Sequence, residues 1–156
     1  MDKDKKDLEF MPLGNSNILS LYVFCRKNKI HRGFLLKLLR ILQKKDSCLL
    51  VYYKKKIVGH LILTFKGIDP DAVVYKKKAY MSYLFIQEEF RNMGFGRDLI
   101  GYMIEFLKIR GYRQVTTLVD QSQENVLKFY EKQNFVCIKN FEDEDFAFCL
   151  MLFDLL

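Results

Sequence analysis

The residues best placed to do chemistry lie between Ala79 and Ile100, where an apolar run, AYMSYLFI, passes through QEEF into RNMGFGRDLI. The first part has the aromatic and apolar density of a strand. The last part opens a helix in which Leu99, Ile100, Met103, Ile104 and Leu107 share one face. Gly94 and Gly96 therefore stand where that helix begins, and no side chain obstructs the unpaired amides of its first turn. Free amides and the positive end of the helix dipole favour an anion, and Arg91 and Arg97 add formal charge beside them. This arrangement suits a phosphate or pyrophosphate held on the amides from Asn92 to Arg97. Two commoner glycine motifs fit less well. A phosphate loop needs Lys-Ser or Lys-Thr after its glycines, and neither follows. A dinucleotide fingerprint needs a third glycine where Leu99 stands, although Asp120 lies near the position of the acidic residue such a site also uses.

Arg91-Asn92-Met93-Gly94-Phe95-Gly96 matches the pattern [RQ]-x-x-G-x-[GA], and a second block, Gln123 through Phe135, reads QENVLKFYEKQNF. In order and spacing the two blocks resemble the GNAT superfamily of acyl-CoA N-acyltransferases, whose second block is N-x-x-A-x-x-[FL]-Y-x-x-x-G-F. Gln123 and Val126 replace the usual Asn and Ala, so the pantetheine contact of that Asn falls to Gln123 or Asn125. Asn134 replaces a Gly at a helix end, where Asn is the next-best residue for the left-handed conformation. Glu88 stands in a loop where Pro is frequent.

The resemblance implies an acetyl-CoA-dependent N-acetyltransferase acting by direct attack of a primary amine, without a metal. The strand before the glycines splays from its neighbour, and the pantetheine arm pairs with the exposed backbone of Leu84, Phe85 and Ile86, as an added strand does. The Ile86 amide is the implied donor to the thioester oxygen. Pyrophosphate falls on Arg91, Asn92, Met93, Gly94, Phe95, Gly96 and Arg97. Tyr130 occupies the family's tyrosine position, the general acid for the leaving thiolate. Tyr80 stands where some relatives carry a glutamate base, and is placed to hold a water or the amine. A plainer reading of the same residues keeps Phe129, Tyr130 and Tyr80 as packing aromatics.

The chain carries a formal charge of +7, and its clearest basic runs are Lys54-Lys55-Lys56 and Lys76-Lys77-Lys78, both expected in hairpin tips or loops. Solubility accounts for such runs, and a nucleic-acid partner remains the alternative, including acetylation of aminoacyl-tRNA. A cofactor-binding module without turnover is a further alternative. Glu142-Asp143-Glu144-Asp145 is the acidic cluster in this basic chain. It falls between the last two strands, a connection that borders the acceptor entrance in the GNAT fold. There it favours a cationic acceptor such as a polyamine, an aminoglycoside-like amine or a basic peptide, or else is a solvated hairpin tip.

These residues need a scaffold, and 156 residues of which half are hydrophobic bound it to one domain, 1–156. Leu8–Leu13 reads as a strand. Asn15 or Ser16 caps a helix to about Lys27, and a second helix covers Arg32 to Lys44. Cys48–Tyr53 and Ile57–Phe65 form a hairpin, followed by the strand and helix already described. A strand at Gln114–Val119, a helix at Ser122–Gln133, and strands at Phe135–Lys139 and Phe146–Leu152 complete the order β-α-α-β-β-β-α-β-α-β-β. That is the α/β GNAT fold, a mixed, mostly antiparallel sheet flanked by helices, as a monomer or homodimer. The charged start lacks an apolar leader and no run is long enough to span a membrane, so a cytoplasmic protein is expected. Cys25, Cys48, Cys137 and Cys149 have no C-x-x-C spacing and are expected as free buried thiols, while His31 and His60 are too isolated for a metal.

Overall fold

Lys54 and Lys55 turn the hairpin expected at the first lysine run, both at positive φ, 49° and 64°. A two-residue hairpin loop takes that sign at both positions to match the twist of its strands, and asparagine followed by glycine adopts it most easily. Lysine adopts it at about 1–2 kcal/mol per residue, because Cβ crowds the following carbonyl. The double substitution Lys54→Asn with Lys55→Gly is therefore expected to stabilise the fold by roughly 1–2 kcal/mol, read as a higher urea midpoint. An unchanged midpoint would mean that the turn carries no such strain.

The computed structural model describes residues 7–30, 40–41, 43, 46–65, 77–142 and 146–156. Its elements are β1 (Leu8–Pro12), α1 (Ile18–Lys27), β2 (Asp46–Tyr53), β3 (Lys56–Thr64), β4 (Lys78–Ile86), a 3-10 turn (Glu88–Phe90), α2 (Phe95–Ile109), β5 (Gln114–Asp120), α3 (Glu124–Glu131), β6 (Val136–Glu142) and β7 (Ala147–Asp154). The strand order is β1-β2-β3-β4-β5-β7-β6. β4 and β5 are parallel, while β1–β2, β2–β3, β5–β7 and β6–β7 are antiparallel, which is the mixed α/β sheet expected. Contacts divide the chain into two compact units, Met1–Thr64 with Tyr83–Met103, and Phe65–Ser82 with Ile104–Leu156.

In the first unit, α1 turns Leu21, Phe24 and Cys25 onto Cys48 and Leu50 of β2 and Ile57 and Ile62 of β3. Each fully buried aliphatic side chain there contributes about 1.5–3 kcal/mol. The α1 cap is Asn17, not Asn15 or Ser16, and its Oδ1 accepts the Gly14 amide at 2.8 Å instead of capping the helix. The helix expected at 32–44 lies mostly outside the described residues, but Arg40 and Ile41 are helical. Arg40 forms a two-point ion pair with Asp46, at 2.8 and 3.0 Å, and so compensates a carboxylate buried at the start of β2.

In the second unit, β5 pairs along its whole length with β7, and β7 pairs with β6. β6 runs on to Glu142, beyond the expected end at Lys139, because a register shift between Cys137 and Lys139 breaks the alternation that marks a strand in sequence. Lys78 is not in a loop as expected. It begins β4 opposite Gln114 and is buried. The expectation of four free thiols holds for Cys25 and Cys48 but fails for Cys137 and Cys149, which form a disulfide across β6 and β7 with Cα atoms 6.0 Å apart. Cys137 is also exposed rather than buried. Strand pairing brings these two together across 12 positions, a separation that a search for close cysteine pairs passes over.

α1, α2 and α3 end the same way. A residue at positive φ follows each helix (Lys29, Gly111, Asn134), and the next amide reaches back five residues: Ile30 to Cys25, Tyr112 to Leu107, Phe135 to Tyr130. This is the Schellman closure, and Asn134 does what its sequence position implied. At the end of α3 the apolar contact that completes the motif is Tyr130 against Phe135, ring centroids 5.3 Å apart.

Candidate active site

The first unit assembles the end of β4 and the start of α2. The first amide of α2 to find a carbonyl four residues back is that of Asp98, bonded to Gly94 at 3.0 Å, so the amides of Phe95, Gly96 and Arg97 precede the helical ladder. Asn92 and Gly94 bend the approach at φ 62° and 84°. The Phe95 side chain is buried between Tyr53 and Phe90, at 5.3 and 6.0 Å, an anchor that fixes the helix start. Arg91 turns back to donate from Nε to the Ile86 carbonyl at 3.0 Å, with its guanidinium over the Phe85 ring. It thereby fastens the loop to the strand end. Arg97 pairs with Asp98 at 3.1 Å, which offsets part of its charge. Met93 is partly exposed.

Gly59, which the sequence reading did not single out, controls the same strand end. A Cβ built there would lie 2.6 Å from the Phe85 carbonyl oxygen, 2.6 Å from Ile86 Cδ1 and 2.9 Å from Val51 Cγ1. One of these contacts is backbone, and β3 and β4 are held beside it by the Gln87 amide on the Val58 carbonyl at 2.8 Å. Gly59→Ala must therefore displace Phe85 and Ile86, and is expected to destabilise the protein by about 1–3 kcal/mol. If those two residues bind the thioester, turnover of acetyl-CoA should fall by more than the stability loss explains. Full turnover in the folded variant would remove Phe85 and Ile86 from the site. The signal available in the sequence was a glycine inside an apolar strand, which often marks a close backbone approach.

The parallel ladder between β4 and β5 runs from Lys78 opposite Gln114 to Tyr80 opposite Thr116 and stops there. Leu84, Phe85 and Ile86 take no part in it.

The second unit holds both tyrosines named from sequence. Tyr130 is buried and hydrogen-bonds to Thr117, whose Oγ1 itself donates to the Met81 carbonyl at 3.0 Å. Burial pushes the Tyr130 pKa up from about 10 to about 12, the Thr117 bond pulls the other way, and Tyr80 adds a smaller upward push. Thr117 left no mark in the sequence, because a threonine in a strand is ordinary. Tyr80 is half-buried in the same unit. Gln123 and Asn125 are exposed at the start of α3, and Gln123 makes no side-chain cap bond. Asp120 is engaged by Ser122, through its amide at 2.9 Å and its hydroxyl at 2.7 Å, which hold its carboxyl below the usual range. It serves the turn into α3, so the dinucleotide reading loses its acidic residue.

Glu142 is exposed at the end of β6, whereas Asp143, Glu144 and Asp145 lie outside the described residues, as does His31. His60 is buried in the first unit against the rings of Tyr83, Phe85 and Phe24, at 5.3, 6.0 and 6.0 Å. No helix among the described residues is long and apolar enough to cross a membrane.

A family model described as "Acetyltransferase (GNAT) family" matches residues 17–135. No curated protein matches the sequence. Among solved structures, an N-acetyltransferase from Staphylococcus aureus Mu50 is similar with TM-score 0.75 at 13% identity, covering 97% of this chain and 100% of that one. A GNAT family acetyltransferase from Elizabethkingia anophelis with acetyl-CoA bound has TM-score 0.71 at 14% identity, covering 96% and 99%. The PaiA N-acetyltransferase from Thermoplasma acidophilum, in complex with coenzyme A, has TM-score 0.69 at 14% identity, covering 94% and 98%. At these identities the likeness is one of fold.

Proposed function

Because this chain belongs to the acetyltransferase (GNAT) family, we propose that it transfers an acetyl group from acetyl-CoA to a primary amine by direct attack. The observation that carries the reading is the end of the β4–β5 ladder at Tyr80, which leaves Leu84, Phe85 and Ile86 outside that pairing just before the amides that open α2. Bound there, acetyl-CoA supplies an acyl group already activated as a thioester. The amides of Phe95, Gly96 and Arg97 hold its pyrophosphate, and the backbone of Leu84 to Ile86 takes the pantetheine arm, with Gln123 and Asn125 as the side-chain contacts. The Ile86 amide donates to the oxygen on which negative charge grows. Tyr130, a neutral phenol at pH 7, gives its proton to the leaving sulfur. Tyr80 positions a water or the amine, and the amine loses its proton through water.

Thiol release from acetyl-CoA, followed across a panel of a polyamine, an aminoglycoside, a basic peptide and a neutral amine, tests this. Turnover with the cationic members is expected. Calorimetric binding of acetyl-CoA with no thiol release from any member would favour a binding module instead. Retention of RNA with a steep salt dependence would favour the basic surface. The acidic cluster sets the acceptor charge in this proposal. Neutralising Glu142, Asp143, Glu144 and Asp145 together should raise KM for the cationic acceptor about 10-fold and flatten its salt dependence while acetyl-CoA affinity holds. An unmoved KM would return the cluster to a solvated tip.

A further inference from the structure

The first unit contains a cavity of about 800 Å³ between α1, the lysine turn and the 3-10 turn after β4. It is not lined by the glycine loop or by Leu84, Phe85 and Ile86. Its walls are apolar and aromatic, with Leu19, Val23 and Phe24 from α1 facing Tyr53, Val58 and Phe90. Its charge is one-sided. Among the described residues, Lys27, Lys54, Lys55 and Lys56 line it against a single carboxylate, Glu89, which already accepts from Gln87 Nε2 at 2.8 Å.

We propose that this cavity is a second ligand site, for a small anionic molecule with a planar apolar body. Leu19 and Val23 are 72% and 58% exposed, apolar surface that a ring would cover. The Lys54 ammonium is held over the Tyr53 ring, 5.0 Å from its centroid, which places a cation on an aromatic wall of the cavity. Lys54 and Lys55 also occupy the two left-handed positions of the turn, where asparagine and glycine fit better, so the turn presents ammonium groups at a cost to its own stability. A sulfonate, carboxylate or phosphate among the four ammonium groups, with its ring against the α1 face, uses both properties of the cavity.

The test uses the full chain and two probes of matched shape, 8-anilinonaphthalene-1-sulfonate and the uncharged N-phenyl-1-naphthylamine, read by fluorescence titration. The sulfonate is expected to saturate one site and to bind about 10-fold more tightly than the neutral probe. Lys54→Asn with Lys55→Gly should weaken the sulfonate about 10-fold, leave the neutral probe alone and not lower the melting temperature. Val23→Glu, which adds a carboxylate to the apolar wall, should also weaken the sulfonate, and its unfolding curve reports whether the fold is intact. Equal binding of the two probes, or sulfonate binding that neither variant alters, would overturn the proposal. So would displacement of the sulfonate by coenzyme A, since the cavity would then belong to the cofactor site. Acetyl-CoA turnover in the turn variant is expected to be unchanged, so failure here and failure of the acetyltransferase reading are separate results.

Discussion

Gly94→Glu is expected to abolish acetyl-CoA binding in calorimetry while the protein stays folded. Gly94 sits at φ 84° immediately before α2, and its carbonyl accepts the first helical amide. A glutamate at that position sets a carboxylate beside the pyrophosphate proposed on the next three amides. Two like charges about 4 Å apart repel by about 4 kcal/mol at the effective dielectric of a protein surface, which is roughly a 1,000-fold loss of affinity. The left-handed backbone adds about 1–2 kcal/mol of strain, too little to unfold a domain whose stability is of order 5–15 kcal/mol. Gly94→Ala separates the two effects, because it carries the strain without the charge and should lose far less affinity. Unchanged affinity in Gly94→Glu would place the pyrophosphate elsewhere.

The parts of this site that the sequence made legible are those with a strict local demand. Two glycines at a helix start, an asparagine where a Schellman closure needs positive φ, and an apolar strand leading into both are readable because backbone geometry limits which residues serve there. Contacts across strands were not legible. The Cys137–Cys149 disulfide depends on the register of β6 and β7 and its shift near Cys137, and register is a property of two strands together. Thr117 beneath Tyr130 and Gly59 against Phe85 are tertiary in the same way. Arg91 shows a finer limit. Its charge beside the glycines was evident, but its bond to the Ile86 carbonyl makes it a clasp for the strand end as well. The first lysine run is legible in sequence as a hairpin tip, yet only the fold shows that it lines a cavity.

Tyr130→Phe is expected to lower kcat by about 10- to 1,000-fold with acetyl-CoA affinity unchanged, the range for removing a general acid. The variant isolates one oxygen. Phenylalanine retains the ring contact to Phe135 that closes α3, so packing is preserved. A packing role alone makes the opposite prediction for kcat, and the two are further separated at high pH. Burial raises the Tyr130 pKa in the folded state to about 12, above its unfolded value near 10. The neutral phenol is therefore favoured by folding. Its contribution is fully present below pH 10 and is lost as pH rises from about 10 to about 12, a change of roughly 2–3 kcal/mol. Tyr130→Phe should lack that part of the alkaline loss whether or not the phenol is catalytic, so urea midpoints across this window check the environment of the residue. Stopped-flow measurement of thiol release, with chemistry made rate-limiting, then checks its role. If the alkaline difference appears and kcat does not move, Tyr130 is a packed tyrosine and another group protonates the leaving thiolate.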